Sequence, residues 1–206
     1  MQMNRDGTRR GSGVRSRVPD DASPGGLSDA ADDAKPQRKP DDAEQLARDT
    51  VYRLLAARAR SCSELRQALL RKEIDEDVAD AVLQKFVDAG LVDDASFAEE
   101  WVQSRQRYQG LGRKALGFEL RRKGVEEHVV EAALSTVDSD AEVEQARELV
   151  QRKLRTMANL DHAAKMRRMV GMLARKGYSE GLAFRVVREE IERSGADVPD
   201  SDLESP

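Results

Sequence analysis

The stretch Leu116-Gly117-Phe118-Glu119-Leu120-Arg121-Arg122-Lys123-Gly124-Val125, continued by Val129 and Ala133, decides how the chain folds. Leu116 and Leu120 stand four apart and share one helix face. Arg121 to Lys123 place positive charge where such a helix would end, and Gly124 follows where a helix should stop. Val125, Val129 and Ala133 then recur at the same spacing. The stretch therefore predicts two short helices joined by a tight turn. The pattern occurs twice more. Leu65, Leu69, Arg71-Lys72-Glu73-Ile74, Val78 and Val82 precede it, and Met169, Leu173, Arg175-Lys176-Gly177-Tyr178, Leu182 and Val186 follow it. Leu116 lies 51 positions after Leu65, and Met169 lies 53 after Leu116. Self-similarity at such a spacing is the signature of tandem modules. One position departs: Glu73 stands where the other copies have Gly124 and Gly177, so the first turn is expected to lack the left-handed glycine cap.

A further helix is predicted before each pair, over residues near 43–59, 95–109 and 140–157. Val51, Leu54 and Leu55, then Phe97 and Trp101, supply its apolar spacing. No alternating strand pattern is bounded by turn residues. Ser63 with Glu64, and Ser179 with Glu180, are read as helix starts; Gly90, Gly124 and Gly177 are read as stops. The expected fold is all-α: three tandem three-helix repeats, 43–91, 92–138 and 139–193, forming an elongated, curved body with disordered tails. Helices this short are marginal alone and must stack on their neighbours.

Composition agrees. The chain is 36% charged and 4% aromatic, with a mean hydropathy of −0.69. That suits thin helical layers better than one thick core. Residues 1–42 carry Gly, Ser, Pro, Asp and Arg and almost nothing large and apolar, and are expected to be disordered. Residues 194–206 read the same way and are acidic, with Asp197, Asp200, Asp202 and Glu204. The arginines near the start are followed by no apolar stretch, which argues against a secretory signal. No apolar run approaches a membrane span. The single cysteine, Cys62, cannot form an internal disulfide, and a cytoplasmic location is expected.

Enzymatic chemistry finds no foothold. His128 and His162 fall on different repeats, and neither has a Cys or His at metal-ligand spacing. Gly110-Leu111-Gly112-Arg113 is predicted to follow a helix and lacks the ending of a phosphate loop, so it reads as an inter-helix turn. Cys62 is read as structural, Trp101, Phe97 and Phe118 as packing residues, and Tyr108 is left open between packing and base stacking. No catalytic residue, metal or cofactor is expected. The net charge of −4 favours a protein partner over a dedicated nucleic-acid role.

The informative residues are basic. Arg113, Lys114, Arg121, Arg122 and Lys123 lie around one helix, with Arg105 before the glycine turn. Arg167, Arg168, Arg175 and Lys176 form a similar set in the third repeat, and Arg71 with Lys72 a sparser one in the first. Arg-Lys at a helix C-terminus also simply complements the macrodipole, worth roughly 0.3–1 kcal/mol. That account fails for Arg113 and Lys114, which open their helix, and for Arg167 and Arg168, which lie in the first half of theirs. These four are the preferred contact residues.

The central segment resembles a known family. Asp93-Asp94-Ala95-Ser96-Phe97-Ala98-Glu99-Glu100-Trp101-Val102, Ser104-Arg105, Gly110-Leu111-Gly112-Arg113 and Glu119-Leu120-Arg121-Arg122-Lys123-Gly124-Val125 are similar to the central signature of RecX proteins. The flanking repeats resemble theirs, and the likeness covers about residues 43–193. The resemblance implies a non-enzymatic regulator that lies along the groove of the RecA–DNA filament and restrains it. Single- and double-stranded DNA would be secondary partners. No membrane role is expected from the absence of a long apolar run, and the asymmetric, end-capped repeat body predicts a monomer. The rival reading is a direct DNA-binding regulator whose helix pairs act as helix-turn-helix units; a third is a general helical-repeat scaffold.

Overall fold

The computed structural model describes residues 40–157 and 159–196. Among these it contains nine α-helices and no strand. The first module comprises α1 (Pro40–Ala57), α2 (Cys62–Leu70) and α3 (Glu76–Asp88). The second comprises α4 (Asp94–Gln109), α5 (Arg113–Arg122) and α6 (Glu127–Ser135), and the third α7 (Ser139–Leu154), α8 (His162–Arg175) and α9 (Glu180–Ala196). Pro40 opens α1, where a missing N–H costs nothing. Of the tails expected over 1–42 and 194–206, residues 40–42 instead open α1 and 194–196 close α9, and the rest lie outside the described residues.

Each module closes on its own core. Val51, Leu65, Leu69, Val82 and Phe86 are buried together in the first. Phe97, Val102, Leu116, Leu120 and Val130 fill the second, and Val150, Met169, Leu173, Tyr178 and Val186 the third. The repeated pair read from the sequence, Leu65/Leu69, Leu116/Leu120 and Met169/Leu173, is almost wholly inaccessible in every copy. Each such side chain contributes about 1.5–3 kcal/mol, so three small cores suffice without many aromatics.

The helix stops fall at the glycines; one start differs. Gly90, Gly124 and Gly177 all adopt positive φ. The N-cap of α2 is Ser61, two residues before the expected Ser63. Ser61 accepts from the Glu64 N–H at 3.2 Å, and the Glu64 carboxylate accepts from the Ser61 N–H at 3.4 Å. This reciprocal box requires the acid three residues after the cap, a spacing that Ser61 meets and Ser63 does not.

The three turns after α2, α5 and α8 are the same turn. Ile74 N–H bonds to Leu69 O at 3.4 Å, Val125 to Leu120 at 3.2 Å and Tyr178 to Leu173 at 3.1 Å. The residue between is left-handed each time: Gly124 at φ 73°, Gly177 at φ 86° and Glu73 at φ 58°. Glycine is absent from the first turn, but the left-handed cap is not. Glu73 bears the steric cost, about 1 kcal/mol, that a β-carbon incurs there.

Glycine is required at the other two turns because another helix sits on them. The turn after α5 meets the start of α2, where Ser61 Oγ donates to Lys123 O at 2.6 Å. A β-carbon on Gly124 would fall inside the Ser63 side chain. The turn after α8 meets the start of α5, where Gly112 N–H donates to Lys176 O at 2.8 Å and Lys114 N–H to Gly177 O at 3.1 Å. A β-carbon on Gly177 would fall on the Ala115 backbone, and one on Gly112 would lie 2.8 Å from the Gly177 carbonyl. The modules are thus joined in series, each second helix starting on the final turn of the next module's second helix.

Glu73→Gly is expected to raise stability by about 1 kcal/mol by relieving the left-handed strain. Gly124→Ala is expected to lower it by roughly 1–3 kcal/mol, since it adds both strain and a steric clash. Urea denaturation of the two variants checks the pair; equal effects of one sign would contradict the assignment of the turns.

Candidate functional site

The sequence nominates basic residues, and the structure sorts them by what faces them. In the second module most are engaged within the chain. Arg113 pairs with Glu142, Nε to Oε2 at 3.3 Å, and its guanidinium donates to Val137 O. The Arg113 backbone N–H also donates to Glu142 Oε1 at 3.0 Å. Glu142 is nearly buried, so it neutralises the positive charge at the start of α5. Arg121 pairs with Glu127, whose hydrogen bond raises the guanidinium pKa.

Trp101 organises two more. Its Nε1 donates to Glu119 Oε2 at 2.8 Å. Arg105 pairs with Glu119 at 3.1 Å and stacks 4.1 Å from the indole centroid. Lys123 Nζ lies 4.0 Å from the same ring and bonds to Glu64 at 2.9 Å. Burial pushes the Glu64 carboxyl up, but hydrogen bonds from Lys123 and Arg58 outweigh it and hold the group below its ordinary value. Lys123 therefore ties the first module to the second. Trp101 packs half-buried on the second core, in keeping with its reading as a packing residue. Phe97 is buried, but Phe118 is 66% exposed and is not a packing residue: it points away from the α5 face that Leu116 and Leu120 bury. Tyr108 is 77% exposed beside Arg107.

The remaining nominees are open. Lys114, Arg122, Arg71 and Lys72 are exposed, and none has a carboxylate within ion-pair distance among the described residues. Lys176 is half-buried and donates to Gln109 O across the second joint.

The third module differs in kind. From Arg152 to Lys176 the chain carries eight lysines and arginines and one carboxylate, Asp161. Among the described residues none of the eight is ion-paired. Arg167, Arg168 and Arg175 line a single cleft of about 350 Å³ with Lys153, Met157, Met169 and Met172. Three of the sequence nominees are thus brought together, and a fourth cation, Lys153 at the end of α7, joins them. Its signal was the acid-poor run itself. Methionines give the floor a soft apolar lining beneath the charge.

A second cleft, of about 530 Å³, lies at the first joint and has the opposite character. Asp93, Asp94, Glu126 and His128 line it with Cys62, Val92 and Val129. Cys62 N–H donates to Asp94 Oδ1 at 2.8 Å. Burial, then the Asp94 and Asp80 charges, push the Cys62 thiol up, which keeps it protonated and unreactive. Burial also raises the Asp94 carboxyl above its ordinary value, against the pull of the Cys62 N–H. No described group of three or more His, Cys, Asp and Glu could hold a metal ion, and no described helix is long and apolar enough to cross a membrane.

Comparison with known proteins covers the same three modules. Family models for the first, second and third three-helix domains of RecX match residues 47–86, 93–134 and 140–187. The chain is 48% identical over 158 residues to the regulatory protein RecX of Amycolatopsis mediterranei, covering 77% of this chain and 90% of that one. It is 46% identical over 170 residues to the protein of that name from Streptomyces coelicolor, covering 82% and 89%. The crystal structure of RecX from Lactobacillus salivarius superposes with a TM-score of 0.69 at 21% identity, over 74% of this chain and 99% of that one.

Two expectations separate structural from available groups. Arg113→Ala should cost about 1–3 kcal/mol, because it strands the nearly buried Glu142, whereas Arg167→Ala should change stability by no more than about 0.5 kcal/mol. Thermal unfolding distinguishes them. Asp94 has a raised folded-state pKa, so its favourable contribution is present below its unfolded pKa and is lost as pH rises through the folded value. Asp94→Asn keeps the acceptor for Cys62 N–H and should therefore gain on wild type as pH rises from ~3 to ~7; a gain that shrinks over that interval would refute the burial argument.

Proposed function

The chain belongs to the RecX family, and from that premise we propose that this regulatory protein acts on RecA recombinase. It binds in the groove of the RecA–DNA filament and lowers ATPase activity, strand exchange and filament growth. It would thereby limit homologous recombination and the SOS response. The observation that carries this reading is the basic cleft of the third module, whose Lys153, Arg167, Arg168 and Arg175 have no ion-pair partner among the described residues. A RecA–DNA filament offers phosphates and protein carboxylates in periodic array. Three modules joined in series would meet successive subunits at once, so that weak contacts act together through effective concentration.

Contact by the third module draws on Arg167, Arg168 and Arg175; Lys114 and Arg122 are exposed and available to extend it. Arg105, Arg113, Arg121 and Lys123 have partners within the chain and serve the reading less directly.

The same cleft favours a second reading, direct binding to the DNA backbone as a regulator in its own right. Salt separates the two. A binder held by phosphates loses affinity steeply and log-linearly with salt, and it needs no recombinase.

The test is the single-stranded-DNA-dependent ATPase of the cognate RecA, titrated with this protein. Wild type should inhibit below one equivalent per RecA subunit. Arg167→Glu with Arg168→Glu should raise the half-inhibiting concentration roughly tenfold or more, about 1.4 kcal/mol or more of lost contact. Full inhibition by that variant would remove the cleft from the reading. No inhibition by folded wild type would sink the RecA assignment and leave the DNA-backbone reading.

A further inference from the structure

The two joints share one register, and that register can be followed to the two ends of the series. At each joint the lysine before the left-handed residue, Lys123 or Lys176, offers its carbonyl. The N-cap residue four places before the first core position, Ser61 or Gly112, bonds to it. The left-handed residue is glycine both times, and a β-carbon would collide with the arriving helix both times. At the first-module end the corresponding acceptor is Lys72, and the residue after it is Glu73, left-handed but bearing a long charged side chain. At the third-module end the corresponding donor is Lys165, four before Met169. Lys165 is not an N-cap, because α8 begins a turn earlier, at His162. Its N–H is already bonded to Asp161 O at 3.0 Å, and the Asp161 carboxylate accepts from the Ala164 N–H at 2.6 Å.

We propose that the joint is a head-to-tail interface whose fitting partner at either end of the series is a second copy of this chain, and that Glu73 at one end and the additional α8 turn at the other keep that copy out. The chemistry of the joint is generic: the N-cap residue of one helix, through its hydroxyl at Ser61 or its N–H at Gly112, meets a backbone carbonyl at the end of another. Copies with open ends would therefore add indefinitely, because a head-to-tail contact that does not close on itself grows into a filament. The Glu73 turn repeats the hydrogen bonds of the other two turns, so only its side chain distinguishes it. Glycine would sit there with less strain, and the glutamate is explained by what it excludes. At the other end the extra turn occupies the space that an arriving turn would need and uses the N–H that would receive it. Terminal units that differ from interior ones are what a finite tandem array requires.

Two measurements on the full chain test this. The first places the blocking residue at a joint. In Gly177→Glu, the amide protons of Gly112 and Lys114, which donate across the second joint, should exchange roughly tenfold faster or more, while core amides such as that of Leu173 stay protected. The second opens the ends. One variant carries Glu73→Gly; another carries Asp161→Gly, Ala163→Gly and Ala164→Gly, which fray the extra turn. In sedimentation velocity wild type and each variant alone should remain monomeric, their mixture should form dimers, and a chain with both sets should form longer species. The proposal is overturned if wild type itself assembles head-to-tail. It is equally overturned if Gly112 and Lys114 stay protected in Gly177→Glu, or if the doubly opened chain, helical by circular dichroism, stays monomeric at its highest soluble concentration.

Discussion

The backbone groups at helix ends have no partner within their own helix, and this structure is organised around giving them one. Short helices multiply such ends, so the nine among the described residues impose a heavy demand. The solution at each joint is to set the first turn of one helix on the last turn of another. The Ser61 hydroxyl at the first joint, and the Gly112 and Lys114 N–H groups at the second, meet carbonyls, and the positive end of one dipole faces the negative end of the next. Gly112 and Gly177 follow from this arrangement, because only a residue without a side chain allows backbone to approach backbone so closely. The ion pairs Glu64–Lys123 and Arg113–Glu142 then flank the two contacts and fix them laterally.

Charge in this chain is partitioned more sharply than its net value suggests. In the first two modules about half of the arginines and lysines are matched by carboxylates, most of these on neighbouring elements. Arg66 is held by Glu76 and Asp80, and Lys85 by Glu44. In the third module Arg147 is held by Glu144, Glu189 and Glu190, but the eight lysines and arginines from Arg152 to Lys176 have no ion-pair partner among the described residues. An ion pair used to hold a joint is not available to a partner without a cost in stability. The distinction between structural and available cations therefore rests on where the acids lie.

Much of the fold was legible because its determinants are local. Four-residue apolar spacing, Arg-Lys at helix ends and glycine stops all act within a turn or two, and they located the helices and the repeated core pair. The N-cap of α2 was displaced because the sequence offers two serines and only Ser61 stands three residues before Glu64. The site was less legible, since a basic residue announces its charge but not its neighbours. Glu142 is 29 positions from Arg113, and Glu64 is 59 from Lys123. Positive charge at the start of α5 calls for a partner, and for Arg113 that partner is an acid from the next module, Glu142. For Arg167 and Arg168 no such acid arrives among the described residues, and they remain exposed. Phe118 illustrates the same limit: its spacing allowed a packing role, and the orientation of α5 denied it.

The uneven placement of uncompensated charge also bears on how the molecule arrives at anything it meets. Its overall formal charge is negative, yet the Arg152–Lys176 segment would be drawn toward any polyanion while the acid-lined cleft at the first joint would be repelled by it. Within a Debye length, about 10 Å at 0.1 M salt, that opposition exerts a torque, and collisions become oriented before contact. Salt would then slow productive capture more than it hastens escape, so the molecule's direction of approach is written in the placement of its acids as much as of its bases.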